Sequence, residues 1–480
     1  MVNHSKNQQH VMIVGGGLAG LSAAEWLLRQ TPTPRITIVE SAHRLGGVIE
    51  TVSREGWLIE RSADSFLSVR PEGIELVKRL GLSKELVSIS PEARRALVWS
   101  PRKNNSGVLV PVPPGFRLLA PGRIVPFLRS NVLSCFGRLR VALERFIPKQ
   151  KHHADESLES FAVRRLGQEA FDKLVQPLVS GIWTADPGRL SMAAACPEFF
   201  KMEQDSGSLT RGEKKRIVQV DGSSDASGAR YGQFVSFRYG MQTLIDSLEC
   251  HLRSAGVQII QDKVSSLQHN GTEWQVSLGK QITRTSGVVL AVPASVAAPI
   301  LANEYSMLAA ELGKIEFAGA AIVSLGFHRQ EITHPLSAAG MIVPRIAGKR
   351  ILAASFSSSK FSGRAPANSV LIRSFVGGAL DTGVAELTDE ELLEEVLLDL
   401  KTTLGRRGRP IMMQVDRWHT SMPQYNLGHV ERIKKIRQFE ATLPLLGLAG
   451  GAYEGVGIPQ VIHSGQVAAA QAIKQVSNAY

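Results

Sequence analysis

Apolar residues collect in short runs near both ends of the chain. Val11–Val14, Ile36–Val39, Val257–Ile260, Gly287–Val292 and Leu445–Leu448 have lengths that suit buried strands rather than helices. Between the first two, Leu21, Ala24, Leu27 and Leu28 recur at helical spacing, so the opening reads strand, turn, helix, strand. Thr272–Leu278 alternates around Trp274 and predicts a further strand. After Leu448 a small-residue helix is predicted, carrying Gly465, Ala468, Ala469, Ala470 and Ala472. No stretch approaches the roughly 18 apolar residues of a membrane span. The first residues, MVNHSKNQQH, lack the apolar core of a signal peptide.

The turn after Val14 is Gly15-Gly16-Gly17-Leu18-Ala19-Gly20. Gly15 permits the tight turn, Gly17 lets the backbone approach a pyrophosphate, and Gly20 lets the helix close on the strand. The pyrophosphate would sit on free amides at the positive end of the helix dipole. The second strand ends in Glu40, an acid placed to accept hydrogen bonds from ribose hydroxyls and to repel a 2′-phosphate. Strand, glycines, helix and acid together predict a dinucleotide site.

The 480 residues exceed one core and predict two or three lobes. A formal charge of +12 implies attraction to an anion, yet no nucleic-acid motif is present. An anionic lipid or a polycarboxylate substrate stays open. Cys135, Cys196 and Cys250 are widely spaced and form no CxxC pair, so buried bystanders in a reducing cytoplasm are expected. His152-His153 lacks partners for a metal, and no metal site is predicted. No internal repeat is visible.

Ser41-Ala42-His43-Arg44-Leu45-Gly46-Gly47-Val48 resembles the second signature of flavin amine oxidases, carotenoid desaturases and porphyrinogen oxidases. That resemblance implies FAD, with Arg44 at the pyrophosphate and Gly46 and Gly47 close to the flavin. At the far end, Gly455-Val456-Gly457-Ile458-Pro459 opens a helix whose N-terminus suits a flavin edge that becomes anionic on reduction. Further stretches resemble oxygen-dependent porphyrinogen oxidases of heme biosynthesis almost end to end. These are Gln176–Ser191, GSLTRG from Gly207, FRYGMQTL from Phe237, WHTSMPQYNLGH from Trp418, and the closing Tyr453–Ala469. Departures include the loop Ser62-Ala63-Asp64-Ser65-Phe66 where the family often has Gly-Pro, Gln176 for Glu, and Gln460 for a frequent Asp.

The resemblance implies an α/β fold: a discontinuous Rossmann-like FAD domain of the glutathione-reductase or amine-oxidase type, an α+β substrate domain and a helical membrane-facing lobe. The expected limits are 9–95, 230–295 and 428–480 for FAD, 96–215 for the helical lobe, and 296–427 for substrate. A Gly/Ser-rich stretch, Asp221–Gly232, is expected to be mobile. The implied activity is oxidation of protoporphyrinogen IX to protoporphyrin IX by FAD and O2, a six-electron reaction yielding hydrogen peroxide. Coproporphyrinogen III is the alternative substrate, and a non-catalytic flavin-bearing porphyrin carrier is the alternative of another class.

By the same resemblance, Ser62, Ala63, Asp64 and Ser65 face the flavin, Val264 covers the adenine, and Val456, Gly457 and Ile458 complete the cofactor site. Arg95 would meet a substrate propionate and Gly181 would line the substrate cavity. Flavin N5 is the expected hydride acceptor, and no catalytic side chain is identified. Trp418 and Tyr425 are candidates to flank substrate, and His419 and His429 are candidate proton relays. Residues 111–151 hold eight Lys or Arg against one acid, Glu144, among many apolar residues. This suits an anionic membrane surface, peripheral on its inner face, with a solvated helix pair as the bland alternative. A homodimer is left open.

Overall fold

The computed structural model describes residues 8–102, 106–150, 155–219 and 233–473. His152-His153 and the stretch 221–232 lie outside them. The chain opens with β1 (His10–Val14), α1 (Leu18–Leu28) and β2 (Arg35–Glu40). β3 (Ala96–Pro101) and β4 (Gly107–Pro111) lead into helices that include α2 (Ile124–Leu128), α3 (Cys135–Ala142) and α4 (Gln176–Trp183). β5 (Gln258–Gln261) and β6 (Gly287–Leu290) follow. Next come β7 (Phe317–His328), β8 (Gly340–Ile342), β9 (Ile351–Phe356), β10 (Ser369–Gly377), α5 (Asp389–Leu404) and β11 (Met412–Pro423). The described chain closes with α6 (His429–Ala441), β12 (Leu446–Leu448) and α7 (Ile458–Gln471).

Five strands form a parallel sheet in the order β5-β2-β1-β6-β12. Val11 pairs with both Ile36 and Gly287, so the first strand is central. Alternation along β1 fills both faces. Val11 and Ile13 join the core under α1 and α7, while Met12 and Val14 join Trp274, Leu308 and Ile436 opposite. The expected strand around Trp274 is Trp274–Leu278, the middle of a three-stranded antiparallel sheet.

Seven strands form the second large sheet, in the order β11-β7-β10-β9-β8-β3-β4. One face is covered by α5 through Leu392, Val396, Leu397 and Leu400, packed on Val323, Leu325 and Phe327. The capping box of Thr388 and Glu391 starts that helix. Ala96–Pro101 and Gly107–Pro111, expected in the helical lobe, belong to this sheet instead. β3 pairs in parallel with β8, Ala96 opposite Gly340, a long-range partnership that local pattern does not show. The helical lobe proper has its own core of Phe116, Phe127, Phe161, Leu174 and Leu190. Within it Arg165 and Glu144 form a fully buried ion pair, and Glu144 also accepts from the Leu209 amide at 2.9 Å.

The three cysteines are free, but the expectation of burial holds for Cys196 alone. Cys135 begins α3 and Cys250 lies on the helix Gln242–Ser254, both at the surface. Among the described residues no group of three His, Cys, Asp or Glu side chains could hold a metal. Nor is any helix there long and apolar enough to cross a membrane.

Candidate functional site

The glycine turn is built as its residues demand. Gly15 has φ +105° and its amide donates to the Val39 carbonyl at 2.8 Å. A Cβ on Gly20 would fall 2.0 Å from the Gly15 carbonyl oxygen, so only glycine lets α1 close on β1. Gly17 precedes α1 with no side-chain cap, leaving the first helical amides free at the positive end of the dipole. Leu18 and Ala19 bury their side chains in the core and so offer a ligand backbone only.

The second signature lies against this turn. The Gly46 amide donates to the Gly16 carbonyl at 2.8 Å, and Gly17 forms a bridge with Gly46. A Cβ on Gly47 would lie 3.3 Å from the Gly17 Cα, so two glycines face each other across a groove that side chains would close. Glu40 accepts from the Gly16 amide at 2.6 Å and from the Ala42 amide at 2.8 Å, with the Ser41 hydroxyl at 3.3 Å. It holds the turn from the carboxyl end of β2, the position a ribose-binding acid occupies. Arg44 closes its own loop, donating to the carbonyls of Leu45 and Ile49 at 2.8 and 3.0 Å and pairing with Glu50. Val48 is exposed, and Val264 is buried among Val14 and Val39.

The C-terminal loop closes on the same region. Gly465 in α7 packs so near α1 that a Cβ would lie 2.2 Å from the Ala19 carbonyl oxygen. Gly457 caps α7, with Val456 half-buried and Ile458 buried. Gly450 has φ +132° and open space where a Cβ would stand. The loop is held by Tyr425, whose hydroxyl donates to the Gly451 carbonyl and accepts from the Gly455 amide, both at 2.7 Å. Tyr425 is thus a buried clamp rather than an exposed face for substrate. Its ring stacks on His429 at 4.0 Å and lies 4.9 Å from Trp183 of α4. His429 is itself buried. Burial and the Arg432 guanidinium lower its pKa to about 4, which keeps the imidazole neutral near neutral pH.

A strap from Arg61 to Phe66 joins the two ends of this site. The Arg61 guanidinium meets Glu50 and Asp416, each at 2.6 Å, beside the Arg44 loop. At the other end Phe66 packs within 4 Å of the Gly73 Cβ position, which also faces Pro459 of α7. Between them Ala63 is exposed and Asp64 turns into the substrate sheet. There it meets Lys360 at 2.7 Å, Arg373 at 3.3 Å and the Ser355 hydroxyl at 3.3 Å, while Ser65 donates to it at 2.7 Å. Burial opposes its charge, but the two cations hold its carboxyl well below the usual carboxylate range. Ser62 keeps a buried hydroxyl with no hydrogen-bond partner among the described residues. Open glycine faces, free helix amides and this orphaned hydroxyl fit an extended dinucleotide laid across both chain ends.

A cavity of about 360 Å³ opens at the ends of β7 and β11, where a bulge between Ala318 and Ala320 loosens the pairing. Its lining includes Arg189, Ala320, Gly378, Arg417, Trp418 and His419. Trp418 donates to the Arg61 carbonyl at 2.8 Å and so connects this cavity to the strap. Gly181 and Arg95 are not in its lining. Gly181 is exposed on α4, its Cβ position 3.8 Å from Ala353 of β9. Arg95 is exposed and donates to the carbonyl and hydroxyl of Ser337 at 2.7 and 2.8 Å. Lys360 and Arg373 escaped the sequence reading. Arg373 stands in the mostly apolar run Val370–Val376, and a charge inside such a strand was the available signal. Lys360 had none.

Residues 18–473 match the family described as flavin-containing amine oxidoreductases. The chain is 34% identical over 475 residues to the coproporphyrinogen III oxidase of Bacillus subtilis, covering 98% of this chain and 99% of that one. It is 31% identical over 490 residues to the protoporphyrinogen oxidase of Bos taurus, covering 96% and 98%. A crystal structure from Exiguobacterium sp. 255-15, provisionally described as a protoporphyrinogen oxidase, superposes with a TM-score of 0.82 at 28% identity, covering 97% of this chain and 98% of that one.

Proposed function

The chain belongs to the flavin-containing amine oxidoreductase family, and from that premise we propose that it oxidises coproporphyrinogen III to coproporphyrin III. FAD is the cofactor, and dioxygen is the final acceptor in this reading. Six electrons and six protons leave the substrate, and three dioxygen molecules become three of hydrogen peroxide. Protoporphyrinogen IX, placed first by sequence alone, becomes the alternative. The observation that carries the proposal is the end-to-end match to the Bacillus subtilis coproporphyrinogen III oxidase. The geometry supports it, because Tyr425 ties two of the resembling stretches to the flavin loop. Its carbonyl accepts from the Ser191 amide at 2.8 Å while its hydroxyl holds Gly451 and Gly455.

Bound FAD would supply two-electron redox chemistry between the porphyrinogen and dioxygen. The protein supplies position. Gly15 and Gly16 would shape the turn, the free amides of Gly17, Leu18, Ala19 and Gly20 at the start of α1 would hold the pyrophosphate, and Glu40 the ribose. Arg44, Gly46, Gly47 and Val48 would border the groove, with Ser62–Ser65 and Val456–Ile458 at the flavin end and Val264 beneath the adenine. Arg189 and Arg417 line the cavity but are paired with Glu316 at 2.6 Å and Asp389 at 2.8 Å, so a substrate carboxylate would take the place of one of these partners. Arg95, directly before β3, and Gly181, on α4, are proposed as substrate contacts outside that cavity. No side chain is given a covalent step.

The test compares both porphyrinogens with the purified yellow protein in air by porphyrin fluorescence. Faster growth of coproporphyrin is expected, and faster protoporphyrin would reverse the substrate assignment. A carrier would bind FAD yet leave it oxidised when either porphyrinogen is added without oxygen.

A peripheral contact with anionic lipid is proposed as well, on one observation. Phe136, Leu139, Leu143 and Phe146 are 85, 56, 45 and 64% exposed along α3 and the following turn, and Val125 on α2 is 60% exposed. Arg129, Arg138 and Arg145 interleave with them, the composition of an interfacial surface. Flotation with anionic liposomes is expected at low salt and should weaken as salt rises. Absence of binding at every salt concentration would remove this contact.

A further inference from the structure

Five ionisable side chains are buried together where the strap meets the substrate sheet. Asp64 is held by Lys360 and Arg373, and Glu60 lies 3.9 Å from Arg364. Glu60, Arg364 and Arg373 are 2% exposed or less, and Lys360 is 8% exposed. Three cations therefore face two carboxylates, an excess of one positive charge. The adjoining set is balanced, with Arg44 and Arg61 against Glu50 and Asp416. Burying an unmatched cation costs stability, and a role limited to joining two lobes would be met by one-to-one pairing.

A second observation says where the excess acts. Arg373 donates to the Ser62 carbonyl, yet its Nε and the Ser62 hydroxyl are both buried with no hydrogen-bond partner among the described residues. Two unsatisfied donors thus meet on the strap that joins the dinucleotide turn to the N-terminus of α7. Unpaired buried donors beside a cationic excess fit a ligand edge that is electron-rich and gains negative charge.

We propose that Lys360 and Arg373 are positioning residues that raise the reduction potential of the flavin, with Asp64 setting how much of their charge it feels. The inference rests on the reading that Ser62–Ser65 borders the flavin. Reduction makes the flavin ring anionic at neutral pH, and a nearby buried cation favours that form over the oxidised one. Arg373 reaches the strap at the Ser62 carbonyl, and Lys360 offsets the Asp64 carboxylate so that the Arg373 charge is left uncompensated. The device would make the oxidised flavin a stronger acceptor for porphyrinogen without placing a titratable side chain at the reacting carbon.

The test is potentiometry of the holoprotein with redox dyes, together with sulfite titration, since the flavin–sulfite adduct is anionic and reports local positive charge. Arg373→Met and Lys360→Met are expected to lower the midpoint potential and to weaken sulfite binding by about tenfold. Asp64→Asn is expected to raise the potential and tighten sulfite binding, and Arg373→Lys to restore most of the wild-type value. Structural damage alone would move the methionine and asparagine variants the same way. Shifts of one common sign, or no shift in any variant, overturn the inference, and Lys360→Met carries the cationic arm if Arg373→Met does not fold. Wild-type protein that takes up no FAD would overturn the site reading itself and this inference with it. Bound FAD with an unmoved potential would overturn the inference alone.

Discussion

Gly465 of α7 rests directly on the carbonyl of Ala19 in α1, with 2.2 Å between that oxygen and the place a Cβ would take. The two helices whose N-termini flank the proposed cofactor groove are therefore fixed to each other by backbone contact. Gly465→Val would force them apart, and overpacking of this kind costs about 1–3 kcal/mol. The expected result is a lower melting temperature with a reduced ratio of flavin to protein absorbance in the purified variant. Full flavin occupancy at normal stability would show that the spacing of α1 and α7 does not govern the cofactor.

Tyr425→Phe keeps the ring stack with His429 and removes one hydroxyl. The Gly455 amide and the Gly451 carbonyl lose their partner together, and each unsatisfied buried group costs about 1–3 kcal/mol unless water replaces it. The flavin loop should loosen, seen as a raised dissociation constant for FAD in fluorescence titration while the far-ultraviolet dichroism is unchanged. An unaltered FAD affinity would contradict the clamp.

His429 makes stability depend on pH. Its folded pKa of about 4 lies below the ordinary 6.5, so the unfolded chain binds the proton more readily. Its contribution is present above pH 6.5 and is lost as pH falls toward 4, by up to about 3 kcal/mol. Urea midpoints should fall between pH 7 and 5, and His429→Phe should flatten that part of the curve. An equal slope in wild type and variant would mean that other groups set it.

Arg165→Met strands Glu144 inside the helical lobe, where it has no route to solvent. Breaking a buried pair on one side costs about 3–5 kcal/mol. Limited proteolysis should cut this lobe first, and Glu144→Gln combined with Arg165→Met should recover part of the loss.

The parts of the fold carried by local pattern were legible in the residues. The glycine turn, Glu40 and the small face of α7 all follow from contacts that a motif encodes, and the strands around Val11, Ile36 and Val288 appear within a residue or two of their runs. What escaped depends on distant partners. Ala96–Pro101 looks like any short buried strand, and nothing near it announces Gly340–Ile342 as its neighbour. Tyr425 and His429 read as candidates for substrate and proton transfer because burial is decided by Trp183 and the 449–457 loop, far away in sequence. Lys360 acquires meaning only once the sheet brings it to Asp64.

The order of the parallel sheet also bears on how the protein is made. β1 is synthesised well before its neighbour β6, which lies almost three hundred residues downstream, and the helix that covers α1 is later still. Contacts of such long range are slow to form. The apolar side of α1, with Leu21, Ala24 and Leu27, waits first for the helix Gln242–Ser254 and then for Ile458–Gln471, which makes the larger contact. α1 is thus fully sheltered only long after it is made, and nascent chains halted before α7 should be ready clients for chaperones.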